Sequence, residues 1–341
     1  MRRVWVRYRW DLGVGGRVRR PVQEKPVKVI GVTMADMFTV ASREFSDLVK
    51  SKRFIVLIVI FGLVMTGAMA TVYVQVIRTM PGIPETVMPR GFLGMMTFML
   101  SGTLSYFAPV IGVALGSDSI SSEWERGTLK TILAQPVFRE TIINGKFLAA
   151  ASAVSLAILI TSLASIGAST IIIGVTPTTE ESLRMALFLV FSLLFTMMYY
   201  GISTFFSTVL KKTTQSVIVS VALWAVFTFV VPILASLIAI TVAPPTLVPG
   251  QSGTEESMMR FTSIVESISS ITPNYHFGKV GQYLLNPYAT IGGLFTPQPA
   301  QEAVSVTTSL MYAGPNILVL VVVTALAFIC SYMAFTRQEV R

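Results

Sequence analysis

The chain has 341 residues, a formal net charge of +9 and a mean hydropathy of +0.70; 53% of it is hydrophobic and only 13% is charged. A soluble domain carries roughly a quarter charged residues, so this chain cannot cover a globular surface with charge and falls in the membrane class. The positive charge does not point to nucleic acid, because 13 of the 26 Lys and Arg residues precede residue 54 and most of the others flank apolar runs, as membrane orientation requires. The single cysteine, Cys330, lies in the last apolar run; it can form no intrachain disulfide and reads as a small buried apolar residue.

Residues 1–33 are rich in Arg, Gly, Val and Pro and have no helical period. No apolar run follows the first basic residues closely enough for a signal peptide. The segment is expected to be a disordered basic cytoplasmic arm, or an arm lying on anionic lipid headgroups. The pattern changes abruptly at Met34, which raises Met34 as an alternative start of translation; the intact mass of the native protein decides between them. From there Met34, Met37, Phe38, Ala41, Phe45, Leu48 and Val49 recur at spacings of three and four, with Arg43, Glu44, Asp47 and Lys50 mostly off the stripe. That spacing predicts an amphipathic helix in the membrane interface.

Six apolar segments follow, at approximately Phe54–Ile77, Phe92–Gly116, Phe147–Val175, Met185–Leu210, Ser216–Val242 and Ile317–Phe335. None contains Asp, Glu, Lys, Arg or His, and each is long enough to cross a bilayer, which takes about 20 residues. With the N-terminus inside, 21 of the Lys and Arg residues fall on the inner side and 5 on the outer, so both termini are expected in the cytoplasm and the protein in the plasma membrane. The expected fold is an all-α membrane protein. It has six transmembrane helices, the N-terminal interfacial helix, and a large extracytoplasmic loop between spans five and six, with residues 34–341 forming one six-span unit. That loop, 243–316, holds a helical pattern at Met258, Phe261, Ile264, Val265 and Ile268, preceded by Glu255 and Glu256 as suits a helix N-terminus. A second apolar patch follows at Tyr283–Leu285. Short helices tucked against or partly into the outer leaflet are expected here.

The chemistry that is missing narrows the function. No GxxxxGK[ST] occurs, because Gly145-Lys146 and Gly278-Lys279 lack the upstream Gly and the following Ser or Thr; the chain has no P-loop of its own. One histidine, His276, rules out HExxH and reads as a locally hydrogen-bonded loop residue, with a metal or substrate contact as the sharper alternative. The spans contain no charge that could act as a catalytic partner of their serines or carry protons. No metal or cofactor is expected, and any free energy for transport must come from another chain. The spans do hold polar residues, Ser105 and Tyr106 in span two and Thr228 and Pro232 in span five. They read either as helix-packing groups or as the lining of an amphipathic substrate path.

The most charged run after the N-terminal tail is the loop of residues 118–146, between spans two and three. Ser119–Glu125 reads as a polar helical turn with Trp124 at an interface, and Gly127 breaks it. Thr128 can cap a short helix whose apolar face is Leu129, Ile132 and Leu133, rimmed by Glu123, Glu125, Arg126 and Lys130. An apolar stripe of this kind needs a groove on a partner, or it folds back onto the helix of residues 34–50; the residues alone leave both open.

The run SISSEWERGTLKTILAQPVFRETIINGKFLA resembles the signature of ABC-2 type permeases, an acidic-x-acidic-x-Gly-Thr-Leu … Pro-x-x-Arg … Gly-Lys pattern between the second and third spans. The matching positions are Glu123, Glu125, Arg126, Gly127, Thr128, Leu129, Pro136, Arg139, Gly145 and Lys146. The likeness extends from Met34 to the basic end at Arg337–Arg341 and is strongest to the branch that includes the permease for nitrous-oxide reductase maturation, among multicopper-enzyme maturation permeases. It implies a non-catalytic transmembrane subunit of an ATP-driven exporter, paired with a second permease subunit, as a homodimer, with ATP bound by a separate ABC ATPase subunit. The loop would hold the coupling helix, with Leu129, Ile132 and Leu133 as apolar contacts and Glu125, Arg126 and Arg139 as the charged rim. A membrane scaffold that recruits a cytoplasmic partner without transport is the alternative.

Overall fold

Hydroxyl caps at Ser51, Thr178 and Ser305 start three of the helices in the computed structural model. It describes residues 34–79, 88–129, 138–173, 177–245, 254–285 and 304–338; the arm of residues 1–33 and the loop positions Lys130, Ile132, Leu133 and Pro136 lie outside them. Helix α1 (Met34–Lys50) turns into α2 (Lys52–Thr79) at Ser51, whose hydroxyl donates to Leu48 O at 2.7 Å and accepts from Phe54 N at 3.2 Å. The long helices that follow are α3 (Met88–Gly116), α5 (Arg139–Ile173), α6 (Thr179–Leu210), α7 (Thr213–Val242) and α10 (Val306–Thr336). A short helix, α4 (Ser121–Glu125), lies between α3 and α5, and the pair α8 (Thr254–Ser269) and α9 (Pro273–Leu285) lies between α7 and α10.

Five segments among the described residues are long and apolar enough to cross a membrane: Leu100–Glu125, Arg139–Ala168, Thr179–Leu210, Thr213–Val242 and Val306–Thr336. The protein is therefore an all-helical, multi-pass membrane protein. The first expected span, Phe54–Ile77, falls on α2, part of whose side chains lie outside the described residues. Two helices begin earlier than their apolar runs. Helix α5 starts at Arg139, two turns before Phe147. Helix α10 starts at Val306, eleven residues before Ile317, so the stretch between α7 and α10 ends at Ser305 rather than Asn316. Ser305 supplies the cap, accepting from Thr308 N at 3.3 Å. Pro315 lies inside this helix.

Helix α6 is the centre of the bundle and packs against α3, α5, α9 and α10. Glycines permit the closest approaches. A Cβ on Gly112 of α3 would lie 2.4 Å from Thr196 O, one on Gly116 would lie 2.6 Å from Tyr200 O, and one on Gly201 would lie 3.1 Å from Ala327 Cβ in α10. Helix α1 lies along the start of α5, where Ala41 is buried and Phe45, Leu48 and Val49 pack on the core. Its apolar stripe is thus covered largely by protein, while Phe38 stays exposed.

The segment after α7 is two successive helices joined by a turn at residues 270–272, termed the hairpin. Helix α8 folds back along the second half of α7, and α9 is buried among α3, α6 and α10. Phe277 of α9 stacks on Phe195 at 4.3 Å and on Phe188 at 5.1 Å, and Val280, Leu284 and Leu285 complete its buried face. The two apolar patches read from the sequence thus lie on two successive helices. Helix α7 is the least buried of the long helices, and residues 226–230 form a π-turn just ahead of Pro232. Proline cannot donate to the helical ladder, and a wider turn absorbs the mismatch.

Substituting Gly112→Ala forces a methyl group into the backbone of α6 and is expected to cost about 1–3 kcal/mol, read as a lower unfolding temperature in detergent. Gly102→Ala, on the same helix with nothing within 4 Å of the added carbon, is expected to leave that temperature unchanged.

Candidate functional site

A lysine with almost no access to solvent organises one end of the bundle. The Lys146 side chain, in the second turn of α5, is 5% exposed and donates to both carboxylate oxygens of Glu44 in α1 at 3.0 Å and to Glu123 Oε1 in α4 at 2.7 Å. Gly145 explains how Glu44 reaches it, since a Cβ there would lie 2.6 Å from Val40 Cγ1. The Gly-Lys pair therefore does two jobs: the glycine lets α1 close on α5, and the lysine binds the acids that arrive with α1 and α4. Tyr200 of α6 donates to Lys146 O at 3.4 Å and packs edge-on against Phe147 at 5.0 Å.

The rest of the loop is tied to other helices. Ser207 Oγ of α6 accepts from Ile120 N at 3.1 Å and Ser121 N at 2.9 Å and donates to Ser121 Oγ at 3.1 Å. Glu125 caps α7, accepting from Thr213 N at 3.0 Å and Thr213 Oγ1 at 2.8 Å, which suits a carboxylate at a helix N-terminus. Lys211 Nζ sits 4.5 Å above the Trp124 ring. Asp118 pairs with Arg53 at the start of α2. Arg139 donates to Thr336 O at 3.4 Å and to Gln338 O at the end of α10, and Gln338 Nε2 donates to Thr208 O at 3.0 Å. The bonds made by Ser207, Glu125, Arg139 and Gln338 satisfy backbone groups at helix ends that would otherwise be free.

The sequence-derived site residues separate into three sets. Glu123 and Arg139 are half-buried and bond to α5 and α10, whereas Glu125 is exposed and bonds to the start of α7. Arg126, Gly127 and Thr128 are exposed; Gly127 has φ +71, the left-handed conformation that glycine adopts without strain, and the Thr128 hydroxyl donates back to Glu123 O at 3.2 Å. Leu129, expected on an exposed apolar face, is 1% exposed and belongs to the core. Ile132 and Leu133 lie outside the described residues. Glu44, Ser207, Lys211 and Thr213 were not singled out from the sequence. A lysine at the base of an uncharged span signals a counter-ion, but nothing in the pattern identifies one about 100 residues away.

The residues of the suggested substrate path also diverge. Tyr106 is half exposed and stacks on Phe229 at 6.3 Å, beside Trp224. Thr228 is buried and accepts from Asn274 Nδ2 of α9 at 3.0 Å, and Tyr199 of α6 donates to Asn274 Oδ1 at 2.5 Å. Ser105 donates to Ser101 O within its own helix at 2.9 Å, and Pro232 follows the π-turn. The single histidine lies in α9 rather than in a loop, and it bonds both to Ser270 O at 2.9 Å and across to Asn316 Oδ1 of α10 at 2.8 Å. Among the described residues no group of three or more His, Cys, Asp or Glu could hold a metal ion. The arrangement is mechanical: a polar junction joining helix ends.

Lys146→Met leaves two carboxylates facing each other without a counter-charge. Breaking a buried ion pair costs about 3–5 kcal/mol, and the partial exposure of Glu44 (29%) puts the expected loss at the lower end. Adding Glu44→Gln and Glu123→Gln to that variant is expected to restore most of the stability, measured by chemical unfolding in detergent.

No curated protein is similar enough to the chain to count as a match. The family model described as ABC-2 family transporter protein matches residues 38–340, which takes in the helices of the bundle, the junction around Lys146 and the hairpin. The chain belongs to the ABC-2 family of transporter proteins.

Proposed function

We propose that the chain is the membrane-embedded subunit of an ATP-driven exporter and that it receives the stroke of a separate ABC ATPase subunit through residues 119–146. Membership of the ABC-2 family supports the transmembrane role. The observation that carries the coupling role is the distribution of bonds from one loop. Glu123 holds α5 and, through Lys146, α1; Ser121 holds α6; Glu125 holds α7; and Arg139 holds the end of α10. A push on that loop reaches five helices at once, as rigid-body switching between two packings requires.

The excess of basic residues at this end supports placing it, with both termini, in the cytoplasm of a plasma-membrane protein. A second copy of the chain completes the transporter, as the likeness to ABC-2 type permeases implies. The likeness to maturation permeases leaves the cargo open among lipids, hydrophobic drugs, peptides and sulfur- or copper-related species. ATP binds the partner subunit, and this chain performs no chemistry of its own.

The docking face comprises the exposed turn Arg126–Thr128 and the outward side of α1. There Phe38, Ser42, Arg43, Ser46 and Asp47 surround a shallow depression of about 560 Å³. Leu129 is unsuited as a probe of docking, because a charge there would disrupt the core. Arg126→Glu reverses an exposed charge and is expected to leave the unfolding temperature unchanged while lowering capture of the ATPase at least tenfold, read by mass spectrometry of a nanodisc pull-down. Undiminished capture would show that the loop is not the docking site.

A further inference from the structure

A second buried cation sits at the opposite end of the bundle, near the start of α6. The side chain of Arg184 is 3% exposed, and every N–H of its guanidinium has an acceptor. Nε and Nη2 donate to Glu180 Oε1 at 3.2 and 2.8 Å; Nη1 donates to Leu284 O and Ser309 Oγ, both at 3.0 Å; and Nη2 also donates to Val304 O. The acceptors come from α6, the last turn of α9, the residues just before α10 and its first turn. One planar fork thus ties the last turn of α9 and the start of α10 to α6. A lysine could not hold this arrangement, because its donors do not form a fixed fork.

The other end of the same hairpin is tied to a different feature. Asn274, in the first turn of α9, bonds Thr228 in the π-turn of α7 and Tyr199 in α6. Helix α8 packs on the half of α7 beyond that turn. The π-turn with Pro232 is the place where α7 can bend, and a bend there carries α8 and pulls on α9. The hairpin is therefore held at a hinge on one side and by Arg184 on the other.

We propose that Arg184 is a conformational latch: its fork holds α9 against α6 and α10 and keeps the hairpin end of the bundle closed until α7 bends at its π-turn. Why that end opens rests on the transport reading; the latch itself is a property of this chain and is tested without the ATPase.

The test is hydrogen exchange on the whole chain in nanodiscs. Arg184→Lys keeps the charge and loses the fork. It is expected to speed exchange of the α9 amides at least tenfold while leaving α1 and α5 unchanged. Ser309→Ala removes one acceptor and is expected to speed the same amides several-fold, which keeps the test available if the arginine variant does not insert. Unchanged α9 exchange in both variants, or an equal rise in every helix, would overturn the latch. Adding the ATPase and a non-hydrolysable ATP analogue to the unaltered chain is expected to raise α9 exchange toward the variant level. If the complex forms and α9 does not respond, Arg184 is a static brace. If the variants behave as expected but no ATPase binds, the transport reading fails and the latch stands.

Discussion

The ammonium group of Lys146, bound by Glu44 and Glu123, is the interaction on which the loop end of this bundle depends. Removing a charged group from water costs several kcal/mol even after relaxation, and only well-placed opposite charges offset it. Two carboxylates from helices far apart in the chain meet that requirement. They can do so only because Gly145 lets α1 lie against α5. The pair Gly145-Lys146 is therefore a geometric unit, in which the residue without a side chain creates the space that the charged residue needs. The constraint also runs the other way: α4 cannot move away from α5 without stranding Lys146, so loop and span move together or the ion pairs break.

A layered organisation follows. Between the two ends, the helices are joined mainly by apolar packing and small residues, with Gly112, Gly116 and Gly201 setting the close contacts of α6. At the ends, polar side chains bridge helix to helix: Lys146, Glu125, Ser207 and Arg139 at one, Arg184 at the other. Apolar contacts slide with little directional penalty, whereas a bond from a buried cation has a fixed length and direction. A machine that rocks its helices needs both kinds. Directional bonds decide which helices move as one body, and the apolar middle allows the bodies to shift. Thr228, Asn274 and Tyr199 are the exception, a polar chain within the bundle that fastens the hairpin to the π-turn of α7.

Much of this was legible in the sequence, for identifiable reasons. Uncharged runs longer than a bilayer announce spans without any knowledge of packing, and the period of α1 announced an apolar face, although that face was expected in the membrane interface and is covered largely by protein. The acidic-x-acidic … Gly-Lys loop stood out because charge is scarce elsewhere. What was hidden depended on distance along the chain. Glu44 and Lys146 are 102 residues apart, and Ser207 and Ser121 are 86 apart; local pattern carries no information about such pairs. Glu123, Glu125 and Arg139 looked like a rim because charged residues in a loop usually face water; Glu125 does face water, while Lys146 holds Glu123 and the end of α10 holds Arg139. Leu129 looked like a free apolar contact, and the core took it. The start of α10 was misplaced because the apolar run begins only at Ile317, whereas the helix begins eleven residues earlier and carries Pro315 inside it.

The central claim is that the loop and the start of the spans are one mechanical body. Hydrogen exchange on the complex of this chain with its ATPase, with and without a non-hydrolysable ATP analogue, tests it most directly. The account predicts that the amides of α4, the first turns of α5 and the middle of α1 change together on ATP binding, and that Glu123→Gln confines the change to α4. A response of α4 alone in the unaltered protein, with α1 and α5 silent, would contradict the account.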